Sequence, residues 1–195
     1  MARATIAGVQ TAAIETLRVG ARRKGWQRAA EPALVRAAQR GSAEAFAELF
    51  RRHWPRAHRA AWLVVHDATA AEDVAQEAFL AAVRSLDRFD RGRPFGPWLH
   101  RIVVNRAIDY ARSRELRREV AETVDATARE DRDVPGDDVI AALATLPPDQ
   151  RAVIVMRHLL GFTPGEIAKA LGLPRGTVNS RLRRGLDGLQ EVVER

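Results

Sequence analysis

The residues between positions 175 and 184 carry side chains suited to contact with nucleic acid. Five basic residues and no acidic residue occur from Lys169 to Arg184. If this segment is helical, guanidinium, amide and hydroxyl groups share its outer surface, and such groups hydrogen-bond to phosphates and to base edges in the major groove. The residues of this surface are Arg175, Thr177, Asn179, Ser180, Arg183 and Arg184. The segment therefore predicts binding to double-stranded DNA.

Residues 163–186 predict two short helices joined by a tight turn, which would present this basic surface. Thr163 and Glu166 have the spacing of a capping box, and Pro164 fits the first helical position. Gly172 supplies the left-handed residue at which the first helix ends. Apolar residues recur at helical spacing, at Ile167, Ala168 and Leu171 in the first helix and at Val178, Leu182, Leu186 and Leu189 in the second.

An ordinary amphipathic hairpin with a solvated basic face is the alternative to a DNA-binding helix-turn-helix. Arginine-rich helix faces are common, so the basic residues alone do not distinguish the two. The small Ala168, the turn residue Gly172 and the apolar Val178 are spaced as the close crossing of a helix-turn-helix requires. This combination favours the DNA-binding interpretation.

The overall composition also points to a polyanionic partner. The chain has 32 basic and 25 acidic residues, a formal net charge of +7 and an isoelectric point of about 11.1. Only Lys24 and Lys169 are lysines, and arginine suits bidentate contact with phosphate and guanine. A GC-rich genome also produces many arginines, which weakens any argument from their number alone.

Several classes of site are excluded by residues that the sequence lacks. Without cysteine there is no disulfide, thiolate zinc site or cysteine nucleophile. The five histidines never fall four residues apart, and neither a phosphate-binding glycine loop nor a nucleophile elbow is present. No apolar run approaches the ~18 residues of a membrane span, and the N-terminus lacks a secretory signal. We therefore expect no cofactor, metal site, catalytic residue or membrane insertion, and a cytoplasmic location.

Helical periodicity divides the chain into two small all-α domains. Residues 1–31 form an N-terminal extension that is expected to be flexible or partly helical. Residues 32–114 have the pattern of a helical bundle, and residues 139–195 contain the helix-turn-helix. Residues 115–138 predict an acidic linker, because eight acids and only two arginines occur between positions 119 and 138.

The helices of the first domain can be placed from their caps and breaks. Ser42 is predicted to cap one helix, and a separate helix is expected over residues 55–66. Residues 69–72 have the spacing of a second capping box that opens the next helix. A last helix is expected to begin at Trp98. No segment alternates at a period of two residues, so a bundle is predicted.

One turn-rich loop of this domain combines aromatic and basic residues, as a site for single-stranded DNA requires. Each nucleotide offers a base face on which an aromatic ring can stack and a phosphate with which a basic side chain can pair. The loop residues are Arg91, Arg93, Phe95 and Trp98, and a polar stripe on the following helix comprises Arg101, Asn105, Asp109 and Arg112. The alternative is that Trp98 anchors the core and Phe95 only holds the loop. Spacing alone does not decide between these interpretations.

The segments AEDVAQEAFL (71–80), 89–93 and PWLHRIVVNRAID (97–109) resemble the promoter-melting domain of bacterial extracytoplasmic-function (ECF) sigma factors. Segments 146–153 and 161–186 resemble the second domain of the same family. The resemblance extends from about residue 34 to the end, in the family's order and with a linker between the domains. It implies a sigma factor that binds core RNA polymerase and directs promoter-specific transcription initiation, without an active site of its own.

The resemblance also implies partners for the first domain. The helix that carries Asp73, Gln76 and Glu77 is expected to dock on the clamp helices of the polymerase's largest subunit. The loop 90–97, with Asn105 behind it, is expected to capture a base flipped from the non-template strand of the minus-10 element. The residues implied in minus-10 binding are Arg91, Arg93, Phe95, Trp98, Arg101, Asn105, Arg106 and Arg112. The acidic linker is expected to follow the RNA exit path, and an anti-sigma factor is the expected regulatory partner.

The second domain is expected to read the minus-35 element with residues 174–184. Phosphate or structural contacts are expected for Arg175, Thr177 and Arg181, and base-edge contacts for Asn179, Ser180, Arg183 and Arg184. Two positions depart from the family pattern, since many relatives carry a basic residue at position 179 and an alanine at position 185. Asn179 implies an altered minus-35 preference, for instance for adenine. Gly185 implies a helix that is less stable by up to ~1 kcal/mol.

Two other functions are less consistent with the sequence. A stand-alone regulator that binds duplex DNA as a dimer would need neither the aromatic loop nor the acidic linker. A metal-dependent nuclease would need a carboxylate cluster beside its histidines, and the sequence has none.

Overall fold

The computed structural model describes residue 26 and residues 28–121 and 137–193 of the 195-residue chain. Within these ranges the chain is helical and has no strand, which confirms the predicted all-α fold. The helices are α1 (Glu31–Gln39), α2 (Ala43–Val65), α3 (Ala68–Ser85), α4 (Phe95–Ala121), α5 (Asp137–Thr145), α6 (Pro148–Ile154), α7 (Pro164–Leu171) and α8 (Arg175–Val193). A 3₁₀ turn follows α3 at Leu86–Arg88, and a π-helical turn extends α6 over Val155–Leu159. Nearly all of the predicted N-terminal extension lies outside the described residues.

α2 is one continuous helix, so the predicted separate helix over residues 55–66 is wrong. Ser42 caps it as predicted, because its Oγ accepts a hydrogen bond from the Ala45 N–H at 3.2 Å. Pro55 lies inside the helix and removes the bond to the carbonyl of Arg51. Arg51 and Pro55 are both exposed, so water can replace that bond, and the buried face of the helix continues past the proline.

α3 begins earlier than predicted. His66 ends α2 in the left-handed conformation with a φ of 53°, and Asp67 follows directly as the N-cap of α3. The Asp67 Oδ1 accepts from the Ala70 N–H at 3.0 Å. The capping box predicted at residues 69–72 is therefore wrong, because aspartate is as good a cap as threonine and comes first along the chain.

α4 is longer at both ends than the sequence predicts. It begins at Phe95 rather than at Trp98, and it continues to Ala121, past the predicted domain end at residue 114. Residues 115–121 contain neither glycine nor proline and are mostly good helix formers, which explains the extension. The rest of the predicted acidic linker before α5, residues 122–136, lies outside the described residues.

A single apolar core runs through both domains. Leu49 and Leu99 are fully buried in the N-terminal bundle, and Met156, Ile167 and Val178 are fully buried in the C-terminal domain. α2 and α4 also contact α6, α2 contacts the turn that follows α6, and α4 contacts α7. The two predicted DNA-binding domains therefore pack against each other.

Candidate nucleic-acid interface

The helix-turn-helix forms as its local signals predict. The Thr163 Oγ1 accepts from the Glu166 N–H at 3.3 Å, and the Thr163 N–H donates to the Glu166 carboxylate at 2.8 Å. The hydrogen bonds from Thr163, first from its backbone and then from its hydroxyl, lower the pKa of Glu166. Gly172 ends α7 with a φ of 65°, in the left-handed region. These contacts confirm the capping box and the glycine stop.

The buried side of α8 differs from the predicted one at a single turn. Val178 and Leu182 are buried as expected, but Leu186 is 44% exposed. Gly185 faces the core instead, because a side chain added there would lie 2.6 Å from the Ile154 Cδ1. The glycine therefore brings α8 close to α6. The sequence-based interpretation of Gly185 as only a weak helix former is incomplete, because it leaves this packing role out.

The opposite side of α8 presents the predicted basic surface. Arg175, Asn179, Ser180, Arg183 and Arg184 are all exposed, and Thr177 is half-buried. The Arg184 Nε donates to the Ser180 carbonyl at 3.3 Å, and Arg183 lies 3.9 Å from Asp187. Exposed contacts of this kind hold their side chains only weakly, so both guanidinium groups remain accessible to solvent.

A polar groove crosses α4 in the N-terminal domain. Its volume is about 530 Å³, and its lining residues are Ser85, Trp98, Arg101, Ile102, Asn105, Arg106 and Asp109. Four of the predicted minus-10 residues thus share one groove. They supply an aromatic ring, an amide and two guanidinium groups. This is the combination that a stacked base and its phosphates require.

Phe95 does not belong to this groove. It is 1% exposed, and its ring contacts His53 and Trp98, with ring centres 5.3 and 5.5 Å apart. Its ring is therefore unavailable for stacking on a base. Phe95 holds the loop, in agreement with the alternative interpretation of the sequence. Trp98 is half-buried, so it both anchors the loop and lines the groove. Arg91 and Arg93 are exposed on the loop beside the groove rather than within it.

The predicted polymerase-binding residues lie on the outer side of α3. Asp73, Gln76 and Glu77 are all exposed. The Arg106 Nη1 donates to the Glu77 carboxylate at 2.9 Å. Because Arg106 also lines the groove on α4, the acidic surface and the groove are adjacent.

Two of the predicted minus-10 residues contact the C-terminal domain. The Arg112 guanidinium binds the Asp149 carboxylate at 2.6 Å, and the same carboxylate binds Arg181 at 2.8 Å. The Asn105 Nδ2 donates to the Ala170 carbonyl at 3.4 Å. Asp149 has no place among the predicted site residues, and its position in the first turn of α6, directly after two prolines, is its only signal in the sequence.

A buried arginine lies near this domain boundary. Arg151 is 7% exposed, its Nη1 donates to the Ala144 carbonyl at 3.2 Å, and burial lowers its pKa. Burial also lowers the pKa of His66 to about 4, with a further contribution from the charge of Arg151. Neither the His66 Nε2 nor the Arg151 Nε has a hydrogen-bond partner.

Other kinds of site are not found among the described residues. No group of three or more histidine, aspartate or glutamate side chains there is placed to hold a metal ion. No helix in the same ranges has the length and apolar character needed to cross a membrane.

Comparison with known proteins identifies the family. The Sigma-70 region 2 model matches residues 49–117, which contain the groove, and the Sigma-70, region 4 model matches residues 136–187, which contain the helix-turn-helix. The ECF RNA polymerase sigma factor SigM of Mycobacterium tuberculosis is 36% identical over 156 residues, which cover 78% of this chain and 79% of SigM. The chain belongs to the ECF sigma factors.

Two further matches agree with this ECF sigma factor assignment. SigE of Mycolicibacterium smegmatis is 36% identical over 156 residues, and the match spans 75% of this chain but only 60% of SigE. The sigma factor RpoE from Bartonella quintana, solved in complex with the anti-sigma factor NepR, superposes with a TM-score of 0.64 at 25% identity. That match covers 76% of this chain and 96% of RpoE. ECF sigma factors direct RNA polymerase to specific promoters.

Proposed function

We propose that this ECF sigma factor binds core RNA polymerase and contacts its promoter at two places, with α8 on the minus-35 duplex and the α4 groove on the melted minus-10 strand. The observation that carries this proposal is the presence in one chain of two surfaces whose side chains suit two different forms of DNA. The surface on α8 is exposed, basic and helical, as a major groove requires. The groove on α4 adds Trp98, as an unpaired base requires.

The groove supplies the selectivity for the minus-10 strand. Flipping a base out of the stack costs a few kcal/mol, and a pocket that rewards the flipped base recovers that free energy. In this proposal Trp98 stacks on the captured base, Asn105 hydrogen-bonds to its edge, and Arg101 and Arg106 hold the neighbouring phosphates. Arg91 and Arg93 contact the strand from the adjacent loop.

α8 reads the minus-35 element. Four outward-facing side chains reach base edges, those of Asn179, Ser180, Arg183 and Arg184. Arg175 contacts phosphate. Arg181 is only 20% exposed and is paired with Asp149, which supports a structural role.

The polymerase contact is assigned to the acidic and amide side chains of α3, which would meet basic residues of the clamp helices. Charges at the rim of an interface chiefly set orientation and association rate. Because Glu77 is paired with Arg106 beside the groove, docking of the polymerase would also affect the groove's electrostatics.

The closed arrangement of the two domains must open for promoter binding. Asn105 and Arg112 contact the C-terminal domain, so the minus-10 surface is partly covered. We propose that core polymerase separates the domains. We also propose that an anti-sigma factor binds this chain, since the similar RpoE was solved in complex with the anti-sigma factor NepR. The protein would have no catalytic activity of its own, would need no cofactor, and would work in the cytoplasm, where polymerase and promoters are found.

Titration of labelled protein with core RNA polymerase tests the docking surface. Replacing Asp73 and Glu77 together by Asn and Gln should weaken core binding, and most strongly at low ionic strength, because the contact is electrostatic. The matched control is Asp87→Asn, which removes an exposed acid from the 3₁₀ turn after α3. If both proteins bind core as the wild type does, the assignment of α3 is wrong.

A further inference from the structure

The loop between α3 and α4 is fixed at one end by the last residue of α1. The Gln39 Nε2 donates to the Leu86 carbonyl at 2.8 Å and to the Phe89 carbonyl at 3.0 Å. The Gln39 Oε1 accepts from the Arg91 Nε. One amide group therefore uses both its donor and its acceptor atoms on this loop.

The other end of the loop is fixed by the first residue of α1. The Glu31 Oε1 accepts from the Phe95 N–H at 3.1 Å, where α4 begins. The Glu31 Oε2 lies 2.8 Å from the His53 Nε2 of α2. The carboxylate thus caps α4 and is itself held by the bundle.

α1 is suited to hold these two points at a constant separation. Its nine residues rise about 12 Å from end to end, and Leu34 and Val35 bury its inner face in the core. A recess of about 260 Å³ lies between α1 and the loop. The loop is therefore supported at its ends rather than packed along its whole length.

The fixed ends of the loop lead directly to the proposed base-binding groove. Phe89 and Phe95 contact the ring of Trp98, with ring centres 4.7 and 5.5 Å away, and Trp98 lines the groove beside Asn105. Arg91, on the same loop, is oriented by Gln39. A substitution in α1 that moves the loop can thus alter the groove through the contacts of Phe89 and Phe95 with Trp98.

We propose that Gln39 and Glu31 are positioning residues for capture of the melted strand, which rests on the proposed sigma function. They hold the loop so that Arg91 faces the strand and Trp98 keeps its orientation in the groove, without touching DNA themselves. α1 lies outside the matched sigma regions, and neither residue is a candidate from the sequence alone.

The experiment measures promoter opening by holoenzymes assembled from core polymerase and full-length variants. The template is a promoter selected by the wild-type holoenzyme, and permanganate reactivity of minus-10 thymines reports strand separation. Gln39→Met removes all three loop contacts, and Glu31→Leu removes the cap of Phe95. Glu31→Gln keeps an acceptor for that N–H and serves as the conservative rescue. Arg36→Met, on the exposed side of α1, is the matched control.

We expect Gln39→Met and Glu31→Leu to reduce opening roughly tenfold, since each loses hydrogen bonds that order the loop. Glu31→Gln and Arg36→Met should open the promoter within about threefold of the wild type. Core affinity should be unchanged in all four, because α1 lies apart from the acidic residues of α3. A purely structural role would instead lower the melting temperature and core affinity together.

Two results overturn the inference. In the first, Gln39→Met and Glu31→Leu fold, bind core and open the promoter as the wild type does. In the second, the rescue variant Glu31→Gln is as defective as Glu31→Leu. If Gln39→Met does not fold, the two variants at position 31 decide. A wild-type holoenzyme that opens no promoter would instead remove the sigma function on which the inference rests.

Discussion

Arg112 on α4 and Asp149 on α6 form an ion pair across the boundary between the two domains. The Arg112 Nε and Nη2 donate to the same Asp149 oxygen at 3.0 and 2.6 Å. The second oxygen of Asp149 pairs with Arg181 of α8 at 2.8 Å. One carboxylate therefore holds an arginine from each domain, and of its two ion pairs the one with Arg112 crosses the domain boundary.

Asp149→Asn should favour the open arrangement. Arg112 is 55% exposed, and exposed ion pairs contribute at most about 1 kcal/mol, so we expect a shift of about fivefold or less. Energy transfer between dyes at Thr69→Cys and Glu191→Cys measures the domain separation, since the chain has no native cysteine. Asp87→Asn is the control. An unchanged distance distribution for Asp149→Asn would show that the ion pair does not hold the two domains together.

Arg184→Ala should impair promoters that depend on the minus-35 element. Loss of a bidentate contact to a base costs about 1–3 kcal/mol, so initiation should fall roughly 5- to 150-fold on such promoters. Core affinity should not change. Arg157→Ala, an exposed arginine outside α8, controls for the loss of charge. If Arg184→Ala lowers initiation equally on a promoter whose minus-35 sequence is scrambled, Arg184 does not read that sequence.

Gly185→Ala should destabilise the protein although alanine favours helix. The helical gain is about 1 kcal/mol, whereas an added methyl group 2.6 Å from the Ile154 Cδ1 should cost about 1–3 kcal/mol as overpacking. Ile154→Val removes that methyl group, so the double variant should be more stable than the sum of the single effects. Urea unfolding of the four proteins gives the coupling free energy, and strict additivity would contradict the close contact.

Acid should destabilise the protein through two histidines, His100, which is buried, and His66, which is half-buried. Burial lowers the pKa of His66 and of His100 to about 4. As the pH falls below about 6.5, the unfolded chain binds protons that the folded chain does not, so stability is lost between pH 6.5 and 4. From pH 7 to pH 5 the expected loss is of order 1–2 kcal/mol for each histidine.

The variants His100→Phe and His66→Asn test this pH dependence. Asparagine tolerates the left-handed conformation of residue 66, so that substitution removes the titrating group without a large backbone penalty. Each variant should lose part of the decrease in unfolding free energy between pH 7 and pH 5. A decrease equal to that of the wild type in both variants would show that other groups cause it.

Features set by local chemistry could be predicted from the sequence, and features set by distant contacts could not. The turn of the helix-turn-helix depends on Thr163, Glu166 and Gly172, which lie within ten residues of one another, and it forms as predicted. Trp98 and Asn105 share a groove because they are seven residues apart on one helix. The pairing of Arg112 with Asp149, 37 positions apart, has no such local signal.

The same distinction explains the errors at helix boundaries. Asp67 replaces the predicted cap near Thr69 because several good caps occurred close together. Gln39 lies about 50 positions from Phe89, so its support of the loop becomes visible only when α1 is seen to pack beside the 3₁₀ turn and α4. Gly185 looks unfavourable in its own helix, and its role appears only in the packing against Ile154.

Run-off transcription by core polymerase with and without this protein, on templates drawn from a randomised promoter library, tests the proposed sigma function. We predict transcription only when the protein is present, from templates that share a minus-35 and a minus-10 element at constant spacing. Selection of a minus-35 sequence alone, or tight specific binding to duplex DNA without polymerase, would contradict the sigma function and indicate a stand-alone regulator.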